Sequence, residues 1–115
     1  MATQNQSIVT LYKSLCAQQD SVSAKIQTTT DPKILDALSG ENHEIMHRLV
    51  MAQNLLFQAD SAQLKDNVKD VVTAAGQLQA GLAQIQSVTD VVNCVTQYLT
   101  AVDEAIDLAK TLVAA

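Results

Sequence analysis

Apolar residues recur at steps of three and four through the second half of the chain. Leu64, Val71, Leu78, Ile85, Val92, Leu99, Ile106 and Val113 occupy every seventh position. A second row runs through Val68, Ala75 and Leu82, then shifts by one residue to Val88, Val95, Val102 and Ala109. This alternation lays one continuous stripe along an α-helix, and a strand, with its period of two, does not produce it.

The first half has the same period. Ile8, Leu11, Tyr12, Leu15, Val22 and Ile26 share one side of a helix expected from about Gln4 to Gln27, with Gln19 inside the stripe. Thr28, Thr29 and Thr30 continue a helix poorly, and Asp31-Pro32 reads as an N-cap followed by proline at the first helical position. From Pro32 onward, Leu35, Leu38, Ile45, Leu49, Ala52 and Leu56 form the inner face of a second helix, with Gly40 as a point where it could kink or divide.

Asp60 or Ser61 is the expected cap of the next helix. Ser87-Val88-Thr89-Asp90, at the point where the stripe shifts, resembles a capping box and marks another start. Four helices of about 25 residues, each roughly 37 Å long at ~1.5 Å per residue, predict an all-α, antiparallel up-down four-helix bundle covering residues 1–115 as one domain. Neither turn near Asp60 nor near Ser87 contains Gly or Pro. A single helix from Asp60 to the C-terminus, about 80 Å by the same rise, is therefore the alternative. It would form a long hairpin that pairs with a second chain as a dimeric coiled-coil bundle.

Composition narrows the function classes. The 115 residues include only three glycines, one proline and three aromatics, so the core is aliphatic and offers no platform for stacking bases. The formal net charge is −5 with no cluster of Lys or Arg, which argues against nucleic acid and against an anionic membrane surface. No window is apolar for long enough to cross a membrane. Cys16 and Cys94 have no motif spacing and the N-terminus lacks the layout of a signal peptide, so reduced thiols and a cytoplasmic location are expected.

His43-Glu44-Ile45-Met46-His47 is a literal H-E-x-x-H and over these five residues resembles the zincin metalloprotease signature. The resemblance implies zinc held by His43 and His47, with Glu44 as general base of a small metal-dependent hydrolase. The chain departs from that family's pattern at Glu41 and Arg48, where uncharged residues are expected. The only glutamate downstream that offers a third ligand is Glu104. With Ile45 at zero on a helical wheel, His43 and His47 fall near 160° and 200°, at about 100° per residue, away from the core stripe.

Two other likenesses are thinner. Glu44-x-x-His47 is half of the di-iron carboxylate pattern, which needs more inward-facing glutamates than Glu41, Glu44 and Glu104 supply. His47 followed by Leu49 resembles the histidine phosphotransfer motif, but Val50 and Met51 replace its basic residue and glycine. Asp103, Glu104 and Asp107 read as a solvated acidic face, and both cysteines as small packed hydrophobes.

Two features favour interaction over catalysis. Met46, Val50 and Phe57 flank the core arc of the second helix and make it wider than one bundle core needs. Val71 to Val102 contains one charged residue, Asp90, and its polar side is built from groups such as Gln77, Gln84, Asn93 and Gln97. Uncharged polar faces suit subunit contacts, where a buried charge is costly. The expected function is therefore a non-catalytic interaction or scaffolding protein without cofactor, acting as a homo-oligomer, dimer first, or on a protein partner. A second alternative to the hydrolase is a module that holds a small apolar ligand between helices near Gly76 and Gly81, beside Ala74, Ala75 and Ala80.

Overall fold

A computed structural model describes residues 4–112. It contains four helices and no strand element among the described residues: α1 (Gln6–Thr28), α2 (Pro32–Gln53), α3 (Ala62–Leu82) and α4 (Val88–Lys110). Each start has a side-chain cap. Asp31 accepts from the amides of Lys33 and Ile34 at 2.9 and 3.4 Å, with Pro32 beginning α2. Ser61 accepts from Leu64 N at 3.0 Å and Ser87 from Asp90 N at 3.1 Å. The Asp90 carboxylate in turn accepts from Gln86 N at 3.0 Å, and Ser87 is in extended backbone.

The chain therefore breaks at Ser87, and the single long C-terminal helix is overturned. The longest dimension of the molecule is 49 Å, well short of the ~80 Å that helix would need. The second helix, by contrast, runs through Gly40 without division.

Among the described residues none adopts a positive φ, so the helices end without the left-handed glycine that often marks a C-terminus. Thr28 and Thr29 turn their hydroxyls onto Lys25 O to close α1. Short i to i+3 turns close the other ends, as in Leu55 N to Ala52 O at 3.0 Å and Gln84 N to Gly81 O at 3.0 Å.

Consecutive helices run antiparallel. Asn5, Leu56 and Asp60 meet at one end of the bundle together with Ala109 and Leu112. Helix α1 packs on α2 and α3, and α4 packs on α3 and α2. The ring order is thus α1, α2, α4, α3, and the segment 54–61 crosses the end of the bundle diagonally. As a result α1 lies parallel to α3, and α2 parallel to α4.

Asn5 holds this crossing in place. Its Oδ1 caps α1 by accepting from Ile8 N at 3.1 Å, while Nδ2 donates to Gln58 O at 3.1 Å and Ala59 O at 3.0 Å. Its own amide donates to Leu56 O at 2.6 Å. Gln58 then donates to Ala109 O and Leu112 O at 3.4 and 2.8 Å, satisfying carbonyls at the end of α4. Asn5→Ala removes a cap and two donors from a buried position. It is expected to lower unfolding free energy by about 3 kcal/mol in urea titration, of which Asn5→Ser, keeping the cap, recovers about 1 kcal/mol.

The core is aliphatic with one aromatic. Ile8, Leu11, Leu15, Val22, Leu38, Ile45, Leu64, Val71, Leu78, Val91, Val95, Tyr98 and Val102 are fully buried. In α1 it is Gln18, not Gln19, that turns inward, and its Oε1 accepts from Gln79 Nε2 at 3.3 Å. Val88 and Val92, placed in the core rows by their spacing, are exposed, because the first turn of α4 buries Val91 instead.

The two glycines of α3 differ. A Cβ on Gly76 would meet nothing within 4 Å, whereas on Gly81 it would lie 2.6 Å from Cys94 Sγ, which itself donates to Leu78 O at 3.3 Å. Close helix approach therefore holds at Gly81 alone. Gly76→Ala is expected to stabilise by about 1 kcal/mol through helix propensity. Gly81→Ala is expected to destabilise by about 1 kcal/mol through overpacking. Adding Cys94→Ala to Gly81→Ala should return the propensity gain, a coupling that urea melts of the four proteins would read.

Candidate functional site

The H-E-x-x-H segment lies in mid-α2, where Ile45 is buried and the helix turns His43, Glu44 and His47 outward into solvent. The Glu44 carboxylate is held by Arg48 Nη1 at 2.8 Å, so the group expected as a general base is an ion-pair partner. Among the described residues no three His, Cys, Asp or Glu side chains converge on a point where a metal ion would sit. The third donor that catalytic zinc requires is not brought to His43 and His47.

Arg48 connects α2 to α4. Its Nε donates to Asp103 Oδ1 at 2.6 Å and Nη2 to Asp103 Oδ2 at 3.1 Å, a two-pronged pair, while Nη1 also reaches Glu44 O at 3.0 Å. The bond to Asp103, opposed by partial burial, raises the guanidinium pKa further. Glu41, one turn before Glu44, has its carboxyl pushed up by burial and then by the Glu44 charge. The acidic residues of α4 are thus partly structural, since Asp103 carries the link between helices. A sequence holds no local spacing that announces such a pair, and Arg48 stood out only as a departure from the zinc pattern.

The ring order gives the bundle four outer flanks. On the α1/α2 flank, Met46, Val50 and Phe57 are 42%, 53% and 49% exposed. Positions 46, 50 and 53 share one side of α2, and Gln53 Nε2 donates to Tyr12 Oη at 3.2 Å, which places that side beside α1. Helix α2 ends at Gln53, so Phe57 belongs to the crossing segment rather than to the helix expected through Leu56. Cys16, partly exposed, is one turn beyond Tyr12 on the same side of α1.

Gln77, Gln84, Asn93 and Gln97 are all exposed, but they belong to α3, α4 and the turn between them. The ring order puts that pair of helices opposite α1/α2. The seven residues expected at an interface therefore divide between two flanks and do not make one continuous surface. Cys94 is packed at the α3/α4 seam against Gly81, where burial pushes its thiol pKa up.

The α1/α3 flank carries a groove of about 540 Å³ that the sequence did not signal. Gln6, Ser7 and Thr10 line one wall, and Lys65, Val68, Lys69, Val72 and Thr73 the other. Neither Gly76 nor Gly81 lines it, although a smaller groove of about 380 Å³ between the same helices is lined by Gln79, Leu82 and Ala83 on either side of Gly81.

No protein-family model matches this chain, and neither a curated protein nor a solved structure is similar to it above chance.

Proposed function

We propose that this protein is a non-catalytic, cytoplasmic interaction protein that self-associates as a dimer through its α1/α2 flank. One observation carries the reading: three large apolar side chains, Met46 and Val50 on α2 and Phe57 just past its end, stay about half exposed. Exposed apolar residues scattered singly are ordinary, but a contiguous set rimmed by polar groups marks a contact surface. His43 and His47 border Met46 and Val50 on α2, and Lys13 and Asp20 lie on the solvent side of α1.

The size is adequate. Two helices side by side, about 33 Å long and about 20 Å across, present a face close to the ~800 Å² per partner of a standard interface. The charges on α1 favour a two-fold arrangement. A two-fold axis passing near Cys16 and Ala17 sets Lys13 of one copy opposite Asp20 of the other, twice over. The same axis brings the two Val50 side chains together at the centre, with the charges at the rim where they remain hydrated. No helix among the described residues is long and apolar enough to cross a membrane, which is consistent with a cytoplasmic place for the pair.

Light scattering after gel filtration at micromolar concentration tests the reading. A mass of two chains is expected, and a mass of one chain overturns it.

A further inference from the structure

We propose that the groove between α1 and α3 binds an amphiphilic carboxylate, with its hydrocarbon chain along Val68 and Val72 and its carboxylate held by Lys65 and Lys69. The site is separate from the α1/α2 flank and independent of self-association.

The groove exists because α1 faces α3 there with short side chains. Ser7 and Thr10 cannot reach across, whereas further along Gln18 and Ser21 meet Gln79 and bridge the two helices, separating this groove from a smaller one of about 380 Å³ beside Ala24 and Leu82. Val72 is consequently 51% exposed on the wall, one position beyond the buried Val71.

The hydroxyls that line the space are spent elsewhere. Ser7 donates to the Asp60 carboxylate at 2.9 Å, Thr10 to Gln6 O at 3.0 Å and Thr73 to Lys69 O at 3.2 Å. Each threonine thereby keeps its hydroxyl on its own helix and leaves its methyl for the groove. The walls are largely hydrocarbon although six of the eight lining residues are polar by name.

The rim supplies the charge. Lys65 and Lys69 stand one turn apart on α3, and no lining residue is acidic. The Asp66 carboxylate reaches Lys69 Nζ only at 4.0 Å, with both side chains well exposed. Such a pair holds its members weakly. Both ammonium groups are free to bend over the opening, their methylene stems adding to the apolar wall and their heads meeting an anion. The lined stretch, Lys65 to Thr73, is about 12 Å of helix, and the volume falls in the range of small-ligand sites. An apolar chain with one negative end matches this distribution; a cation would meet two lysines, and a fully polar anion would leave the valine wall uncovered.

Amide and methyl NMR titration of the full chain with decanoate below its micelle concentration tests the site. Saturable shifts at Thr10, Val68, Lys69 and Val72 are expected, with decylammonium at least ten-fold weaker. Lys65→Glu/Lys69→Glu should weaken decanoate at least ten-fold and reverse the preference toward decylammonium. Val72→Asp should abolish decanoate binding with the helical circular dichroism intact. Equal binding of the two amphiphiles by the native chain, shifts that map to another flank, or decanoate affinity unchanged by the charge reversal would each overturn the proposal.

Discussion

Replacing Tyr98 with alanine is expected to lower stability by about 4 kcal/mol, the cost of emptying a buried aromatic site. Tyr98 is fully buried among aliphatic side chains, and its Oη shares a hydrogen bond with Ser14 Oγ at 3.0 Å. A domain of this size has about 5–15 kcal/mol in total, so the variant stands near the limit of folding. Tyr98→Phe isolates the hydroxyl and should cost about 1 kcal/mol at neutral pH.

At high pH that order reverses. Burial pushes the Tyr98 pKa up from 10.0 to about 12, the Ser14 hydrogen bond opposing this in part. A group whose folded pKa lies above its unfolded value keeps its full contribution below the unfolded pKa. That contribution is lost as pH rises from about 10 to 12, because the unfolded chain releases the proton first. Two pH units at ~1.4 kcal/mol each remove about 2.7 kcal/mol from the native protein, and nothing from Tyr98→Phe at this position. The two stability curves should cross near pH 11 in urea melts, with the phenylalanine variant the more stable above it. Parallel curves would mean that the phenol ionises as readily inside the bundle as outside.

Tyr98 also shows where the sequence was opaque. Capping chemistry was legible: Asp31-Pro32, Ser61 and Ser87 begin three helices because each places an oxygen where unpaired amides need it. The apolar period was legible within each helix. Its phase in the first turn of α4 was not. Carrying the seven-residue row from α3 into α4 put Val88 and Val92 inside. The first turn of α4 buries Val91 instead, while further along Val95, Leu99, Val102, Ile106 and Ala109 are buried as the rows expect, joined by Tyr98 and Ala105.

Ring order was illegible for another reason. It depends on Asn5, Gln58 and Asp60 meeting across more than fifty residues, through single side-chain to backbone or side-chain bonds that repeat nowhere. The groove on α1/α3 likewise depends on which helices become neighbours. For Met46 and Val50 the wheel sufficed, since a helix packed on two neighbours still leaves its far side open, whereas Phe57 lies past the end of α2 where the wheel no longer applies. The wheel also turned His43 and His47 outward before any contact was known, although it gave no hint that Arg48 holds Glu44 and Asp103 together.

Val50→Glu is expected to convert the proposed dimer to monomers without harm to the fold. Val50 is 53% exposed within one chain, so a glutamate there costs the isolated bundle little. In a two-fold contact the substitution appears twice, and each copy loses apolar burial and must desolvate a carboxylate with no cation opposite. About 2 kcal/mol or more per copy makes roughly 4 kcal/mol per dimer, a weakening of about a thousand-fold by ~1.4 kcal/mol per decade. Val92→Glu is the matched control, a valine 42% exposed on α4, and should leave the dimer mass unchanged. A bis-maleimide spanning roughly one helix diameter, ~10 Å, should join chains through Cys16, which lies near the proposed axis. It should not join them through Cys94, packed against Gly81. Retention of the dimer by Val50→Glu, or linkage through Cys94 in preference to Cys16, would move the contact off α1/α2. The α3/α4 face with Gln77, Asn93 and Gln97 would then be the surface to mutate.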